Sequence, residues 1–227
     1  MVVSAQTPDV AGCHARGRQP VERGARLAPL PRNGDGGAGP HSAATRRGGW
    51  TKVVPVAETD LVELVDEHGT AGGRTTVAEA HAAPGRLHRA FSVLVTRPDG
   101  ALLLQRRAHA KVRFGGLWTN SCCGHPAPGS DLLTSATTRV RDELGVDLVD
   151  AHEVGTFVYR APDAGSGHVE WEHDHVVVGR VEGELAPDPD EVVETAWVTP
   201  AQARALVDAG EVTPWFADVL RVAAAAS

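Results

Sequence analysis

One stretch constrains the fold of this chain more than any other: the run Asn120-Ser121-Cys122-Cys123-Gly124-His125-Pro126 and the helix whose pattern begins just behind it. Leu132, Leu133, Ala136, Val140 and Leu144 recur at helical spacing, Ser130 or Asp131 stands where an N-cap belongs, and Gly145 stands at the C′ position. A loop that must turn sharply at Gly124 and Pro126 therefore feeds straight into an amphipathic helix. Two adjacent thiols, a glycine and a histidine in that loop put a nucleophile or acid/base group beside a possible metal ligand. Read blandly, the same loop is a buried turn whose cysteines fill space, because free cysteine is among the most buried residue types.

The elements around this unit alternate strand and helix signals. Val53 to Val56 and Leu61 to Val65 read as short strands, with a turn at Asp66-Glu67-His68-Gly69. Phe91 to Thr96 and Leu102 to Gln105 are β-rich and joined by Arg97-Pro98-Asp99-Gly100, which predicts a hairpin. Further strands are expected at Val154 to Tyr159, Val169 to Val181 and Thr195 to Val198, and helices at Pro200 to Asp208 and Pro214 to Ala224. Together these predict an α/β class, a single domain over residues 50–227 in which a mixed sheet is sandwiched between helices. Residues 1–49 are rich in Ala, Gly, Pro and Arg with no sustained apolar period, which predicts a disordered N-terminal extension.

Charge and cysteine usage exclude some classes of function. The net charge is −7, yet residues 1 to 50 carry seven Arg against Asp9, Glu22 and Asp35, so the remainder is strongly acidic. Such a body is unsuited to nucleic acid, and an anionic substrate would need a local cluster of cations or metals. Three cysteines, two of them adjacent, make no disulfide framework and point to a reducing, cytoplasmic setting. No window is apolar over the length a membrane span needs.

Several other residues have the chemistry of a site. His81 and His88 flank a Pro84-Gly85 turn and, with His125, offer imidazoles suited to zinc, manganese or iron. Glu170 and Glu172 are one residue apart in an expected strand, so both carboxylates share one face. Two like charges on a partly buried face call for a cation between them. His173 and His175 would then point the other way, as surface or supporting residues. Glu143 lies on the helix behind the Cys-Gly-His loop, where a carboxylate can hold Mg²⁺ against phosphate oxygens, and Arg107, Lys111 and Arg139 can supply positive charge.

In order and content these pieces resemble the type I isopentenyl-diphosphate delta-isomerases, built on the Nudix fold. The resemblance covers about residues 52–220 and rests on Arg86-Leu87-His88 with Ala90-Phe91-Ser92, Leu103 to Ala108, Leu117 to Pro126, Asp142 to Val146, Tyr159-Arg160, Glu170-x-Glu172 and Thr213-Pro214-Trp215. The run from Trp118 to Pro126 is the strongest match. It implies an intramolecular transfer of protons that interconverts isopentenyl and dimethylallyl diphosphate for isoprenoid precursor synthesis. It also implies that His81, His88, His125, Glu170 and Glu172 hold one Mn²⁺ or Zn²⁺, while Glu143 and the Cys123 main-chain carbonyl hold one Mg²⁺ with the diphosphate. Cys123, Glu172, Tyr159 and Trp215 are then the catalytic residues, and Arg107, Lys111 and Arg139 the diphosphate contacts. The implied partner is a small diphosphate, with no nucleic acid or membrane, and a monomer is expected.

The chain departs from its relatives' patterns in places. Ser130 and Thr138-Arg139 stand where the full Nudix hydrolase signature has a Glu and an Arg-Glu pair, which counts against the alternative, a pyrophosphohydrolase acting on a nucleoside diphosphate derivative. Val77 stands where the isomerases often carry a phosphate-binding Lys, so either phosphate affinity is weakened or Arg74 substitutes. A closed structural metal site is a third reading, but such sites are usually tetrahedral and rich in cysteine pairs.

Overall fold

The protein is described by a computed structural model over residues 57–226; the expected disordered extension and the expected strand at Val53 to Val56 lie outside the described residues. The chain opens with β1 (Leu61–Val65) and β2 (Ala71–Thr76), paired antiparallel. Asp66 closes the turn between them, its Oδ1 accepting from the backbone N–H groups of His68 and Thr70. The strand β2 carried no legible signal, because Gly72 and Gly73 have no side chains to alternate. Thr76 caps α1 (Val77–His81), a single turn whose last residue is His81.

The main sheet is built on β3 (His88–Val95), with order β2-β1-β3-β8-β7 and β6 (Cys122–Gly124) also on β3. The strands β7 (Asp147–Pro162) and β8 (Val169–Glu182) form a long antiparallel ribbon, and β3 runs parallel to β8. The expected strand at Val154 to Tyr159 is the middle of this longer β7. Its reach is set by pairing with β8 through two register shifts, one after Val149 and one after Glu153.

A second sheet has the order β5-β4-β9, made of β4 (Leu102–Arg107), β5 (Trp118–Thr119) and β9 (Val192–Val198). The predicted hairpin is therefore corrected. Its turn forms, with Arg97 N–H donating to Ala101 O and Gly100 at φ +82°, but beyond the Thr96–Leu102 bridge the strands part into different sheets. They part because alternate residues of each strand are buried in two different cores. Leu102 and Leu104 join Leu94, Phe157, Val176, Trp215 and Phe216 in one core, whereas Leu103 joins Phe91, Val93, Val177 and the helix α2 (Leu132–Leu144) in the other.

The helix α2 begins and ends where its residues predict. Asp131, rather than Ser130, accepts the Thr134 N–H, and Gly145 adopts φ +68°. A Cβ at Gly145 would lie 2.5 Å from Ala186 O, so glycine is required there by space as well as by conformation. The helices α3 (Pro200–Ala209) and α4 (Phe216–Ala225) cover the first core. The α/β class and mixed sheet between helices are as expected; the three-stranded second sheet is the addition. Among the described residues no helix is long and apolar enough to cross a membrane.

Candidate active site

Strand pairing places the chemistry. In the parallel β3–β8 ladder His88 faces Glu172, and in the antiparallel β7–β8 ladder Tyr159 faces the same Glu172. One row across three strands therefore carries an imidazole, a carboxylate and a phenol. Residues two apart share that face, so Glu170 and Asp174 flank Glu172, while Ser92 lies two positions beyond Ala90 and pairs with Cys123 of β6.

His81, His88, His125 and Glu172 each offer one ligand atom, all within 4.8 Å of one another. Glu172 Oε1 lies 2.9 Å from His125 Nε2, 3.5 Å from His88 Nε2 and 3.9 Å from His81 Nε2. The tautomers of two of the rings follow from their other nitrogens. Nδ1 of His81 is 2.8 Å from Val77 O and Nδ1 of His88 is 2.7 Å from Arg86 O, so each Nδ1 carries the proton and donates to a carbonyl. Each Nε2 is then left to face the carboxylates, His81 Nε2 toward Glu170 Oε2 and Glu172 Oε1 and His88 Nε2 toward Glu172 Oε1. Imidazole nitrogens gathered around a carboxylate, with their backs held by carbonyls, are what a divalent cation requires. The donor set fits one. Glu170 stands beside the four rather than among them, with Oε2 2.7 Å from His81 Nε2 and Oε1 3.3 Å from Arg113 Nε.

Burial and hydrogen bonds among these side chains set their charges. Burial opposes a proton on His81, but hydrogen bonds to Glu170 and Glu172 outweigh it and raise the group to about 10. Burial takes His125 down to about 4 despite its bond to Glu172. Burial also works against the Glu172 charge, yet His125, His81 and His88 hold the carboxylate well below its ordinary range. The Tyr159 hydroxyl donates to Glu172 Oε2 at 2.6 Å, and burial beside that carboxylate pushes its ionisation well up.

Across the cleft, burial pushes the Cys123 thiol up to about 12; the Asp174 carboxylate adds to the shift and Arg107 opposes it. Cys123 is thus a thiol at neutral pH. Its Sγ lies 3.2 Å from Asn120 Nδ2 and 3.7 Å from Ser92 Oγ, and that hydroxyl donates to Asp174 Oδ2 at 2.7 Å. Cys122 points to the opposite face of β6 and packs with Phe91, Val93, Ala136 and Val140. Gly124 is needed between these layers, because a Cβ there would meet Phe91 Cζ at 2.8 Å.

A cleft of about 330 Å³ joins the two halves, lined among others by Cys123, Tyr159, Glu172 and Trp215 and by Arg107, Lys111, Arg139 and Glu143. The Trp215 ring lies 5.7 Å from Tyr159 and 5.5 Å edge-on from Phe114, with the Arg107 guanidinium 5.8 Å above it. Arg139 pairs with Glu143 Oε1 at 2.6 Å and Glu191 Oε1 at 3.0 Å, while Lys111 pairs with Glu191. The Nε atoms of Arg107 and Arg139 are buried with no partner, donors suited to an added anion. Glu143 Oε2 accepts from Gln105 Nε2 at 3.0 Å, and Gln105 Oε1 itself is orphaned. The Cys123 main-chain carbonyl has a long 3.9 Å contact from Cys122 Sγ.

Every predicted site residue except Arg74 thus falls in or beside one cleft. Arg74 instead lines a neighbouring groove with Val77 and His125. Arg113, which pairs with Glu58 and Glu170, is the further cation in the lining. His173 and His175 do turn away from the imidazole cluster. His173 is buried rather than on the surface, however, lying against Gly69, and His175 Nδ1 is 2.7 Å from Glu153 Oε1. Sequence reasoning passed over Asp174 and Glu191, and it named Asn120 in the central run without giving it a role. Asp174 was within reach of the period of two that picked out Glu170 and Glu172; Glu191 left no local signal.

Comparison with known proteins bears on the fold and the family. The NUDIX domain model matches residues 86–216. A crystal structure of a Deinococcus radiodurans protein superimposes with a TM-score of 0.59 at 20% identity, covering 71% of this chain and 98% of that one, a likeness of fold. The isopentenyl-diphosphate Delta-isomerase of Nocardia farcinica is 53% identical over 167 residues, 73% of this chain and 95% of that protein. The protein of the same name from Streptomyces coelicolor is 46% identical over 167 residues, 74% of this chain and 85% of its own length. With the NUDIX match spanning more than half of its length and relatives 53% and 46% identical over 167 residues, the chain belongs to the isopentenyl-diphosphate Delta-isomerase family of Nudix-domain proteins.

Proposed function

We propose that this chain interconverts isopentenyl and dimethylallyl diphosphate by adding a proton at one end of a three-carbon unit and removing one at the other. The observation that carries the reading is that Cys123, a half-buried thiol, and the Tyr159–Glu172 pair line one cleft whose other wall holds Arg107, Lys111 and Arg139. A thiol holds one transferable proton, and a carboxylate bonded to a phenol can take or relay another. That is the inventory a double-bond shift needs. The cations hold the diphosphate as a handle without attacking it, which is positioning rather than phosphate chemistry.

Trp215 faces the same cleft, and its ring would stabilise a developing tertiary cation by about 2 kcal/mol in a desolvated site. With Tyr159 and Phe114 against it, the indole also keeps out water that would capture the cation. His81, His88, His125, Glu172 and the adjacent Glu170 would hold one Mn²⁺ or Zn²⁺, and Glu143 with the Cys123 carbonyl one Mg²⁺. When bound, these ions supply positive charge that strengthens the Glu172 carboxyl as an acid and neutralises diphosphate oxygens. Arg139 and Lys111 must then exchange carboxylate partners for phosphate oxygens, which the alternate partners Glu143 and Glu191 make reversible.

A pyrophosphohydrolase is less favoured. Thr138 turns its hydroxyl back onto Thr134 O, and neither it nor Ser130 brings a carboxylate to the cleft. The deciding experiment is proton NMR of isopentenyl diphosphate in D₂O with protein, Mg²⁺ and either Zn²⁺ or Mn²⁺. Dimethylallyl diphosphate deuterated at the methyl and C2 positions is expected. Release of phosphate with no deuterium in carbon positions would establish hydrolysis instead.

A further inference from the structure

Asn120 is fully buried, and its side chain touches both Cys123 and Trp215. Its Oδ1 accepts the indole Nε1–H of Trp215 at 3.2 Å and the Thr119 hydroxyl at 2.9 Å. Its Nδ2 donates to Cys122 O at 2.8 Å and Val93 O at 3.2 Å, and lies 3.2 Å from Cys123 Sγ. Sγ is also 3.4 Å from Oδ1, within reach of a weak S–H bond. The orientation of the amide is determined by chemistry. An indole N–H only donates and a main-chain carbonyl only accepts, so a flipped amide would set donor against donor on one side and acceptor against acceptor on the other.

We infer that Asn120 is a positioning residue, a planar amide that fixes the Cys123 thiol and the Trp215 ring relative to one another. The inference rests on the isomerase reading above and adds to it a cause for the mutual placement of its two reacting elements. Cys123 sits on β6 and Trp215 at the start of α4, and no strand pairing joins those two elements. The Thr119–Thr213 hydroxyl contact at 2.8 Å and the Thr213 N–H to Trp118 O bond at 2.9 Å anchor the neighbouring backbone, and packing against Phe114 and Tyr159 confines the indole ring. The Asn120 Oδ1 contact adds the polar hold that ties the Nε1 edge of that ring to the amide beside Cys123. The Nδ2 contact aims at the sulfur from a rigid plane only one amide wide, while Ser92 borders Sγ at 3.7 Å. An apolar residue of the same size would fill the space yet hold neither group in register.

Two variants separate the two arms. Asn120→Asp keeps an acceptor for the indole but loses the donor to sulfur and sets a carboxylate oxygen against Cys122 O and Val93 O, so its melting temperature is measured alongside its rate; Asn120→Ser is too short to bridge both arms. For Asn120→Ser, kcat is expected to fall about 100-fold with KM within about 3-fold, the signature of misplaced reacting groups rather than lost binding. Water capture of the cation, read by NMR as a tertiary alcohol diphosphate, should accompany turnover in Asn120→Ser and be absent in Asn120→Asp. A kcat loss matched by the loss of folded protein, or a KM rise with kcat unchanged, would overturn the assignment.

A measurement that needs no Asn120 variant uses the indole N–H resonance of Trp215, identified by its disappearance in Trp215→Phe. In Cys123→Ala that resonance should shift and its hydrogen exchange should quicken, because the amide that holds the indole loses its contact with Sγ, 3.2 Å from Nδ2 and 3.4 Å from Oδ1. An unmoved resonance sinks the proposal even if the wild type is a good isomerase. A moved resonance in a protein without isomerase activity keeps the amide bridge and rejects the reading of function instead.

Discussion

Tyr159 gives its hydroxyl proton to Glu172 Oε2 at 2.6 Å while Oε1 of the same carboxylate faces three imidazoles, the nearest at 2.9 Å. One carboxylate thereby joins the candidate metal cluster to the cleft. Tyr159→Phe removes only that hydroxyl. It should lower kcat on the order of 10²-fold, within the range for a proton-transfer partner. Metal content, read by elemental analysis, should be unchanged; full activity in the variant would mean that Glu172 needs no relay.

The adjacent thiols should behave differently. Cys123→Ala is expected to remove nearly all turnover with metal content intact, since its Sγ lines the cleft. Cys122→Ala should leave turnover per folded molecule near normal. Cys122 is fully buried in the apolar layer against α2, so the small cavity should cost about 1 kcal/mol, or roughly 2–4 °C in Tm for a domain of this size. Equal losses of activity in the two variants would reject this division.

The metal-free protein should have a defined pH response. His81 is raised to about 10, so its contribution to stability is fully present below pH 6.5 and is lost as pH rises toward 10. His125 is depressed to about 4, so it acts oppositely: the unfolded chain binds its proton first, and stability falls as pH drops from 6.5 toward 4. Glu172, held below its ordinary value of 4.5, adds a further loss under more acidic conditions. Melting curves with chelator should therefore weaken on both sides of neutrality, and His125→Gln should flatten the slope between pH 4 and 6.5. An unchanged slope in that variant would place the acid sensitivity elsewhere.

Glu143→Gln tests the other metal. The amide can keep a contact with Gln105 but cannot offer a charged oxygen to Mg²⁺ or to Arg139. The Mg²⁺ concentration for half-maximal rate should rise at least about tenfold, as for loss of a ligating carboxylate. A Mg²⁺ titration that overlays the wild type would remove Glu143 from the site.

Much of this site was legible in the residues themselves. The period of two in a strand puts Glu170 and Glu172 on one face whatever the partner strands are, and the bounds of α2 follow from Asp131, Gly145 and the apolar spacing between them. Such features depend on neighbours within a few positions, and the chain carries them wherever it goes. Identification of His81, His88 and His125 as a set came from family resemblance, since their spacing alone has no diagnostic pattern.

What the sequence determines by itself, then, is local: the capped helix behind the Cys-Gly-His loop, the turn at Arg97–Gly100, and the shared face of Glu170 and Glu172. Tertiary structure decided the rest. It parted β3 and β4 into two sheets because their alternate side chains satisfy two different cores, and it extended β7 because the long β8 supplied its hydrogen bonds. It also set His88 and Tyr159 on either side of Glu172 through the registers of two ladders. Register and burial are properties of pairs of segments far apart in the chain, and their energies exist only once those segments meet.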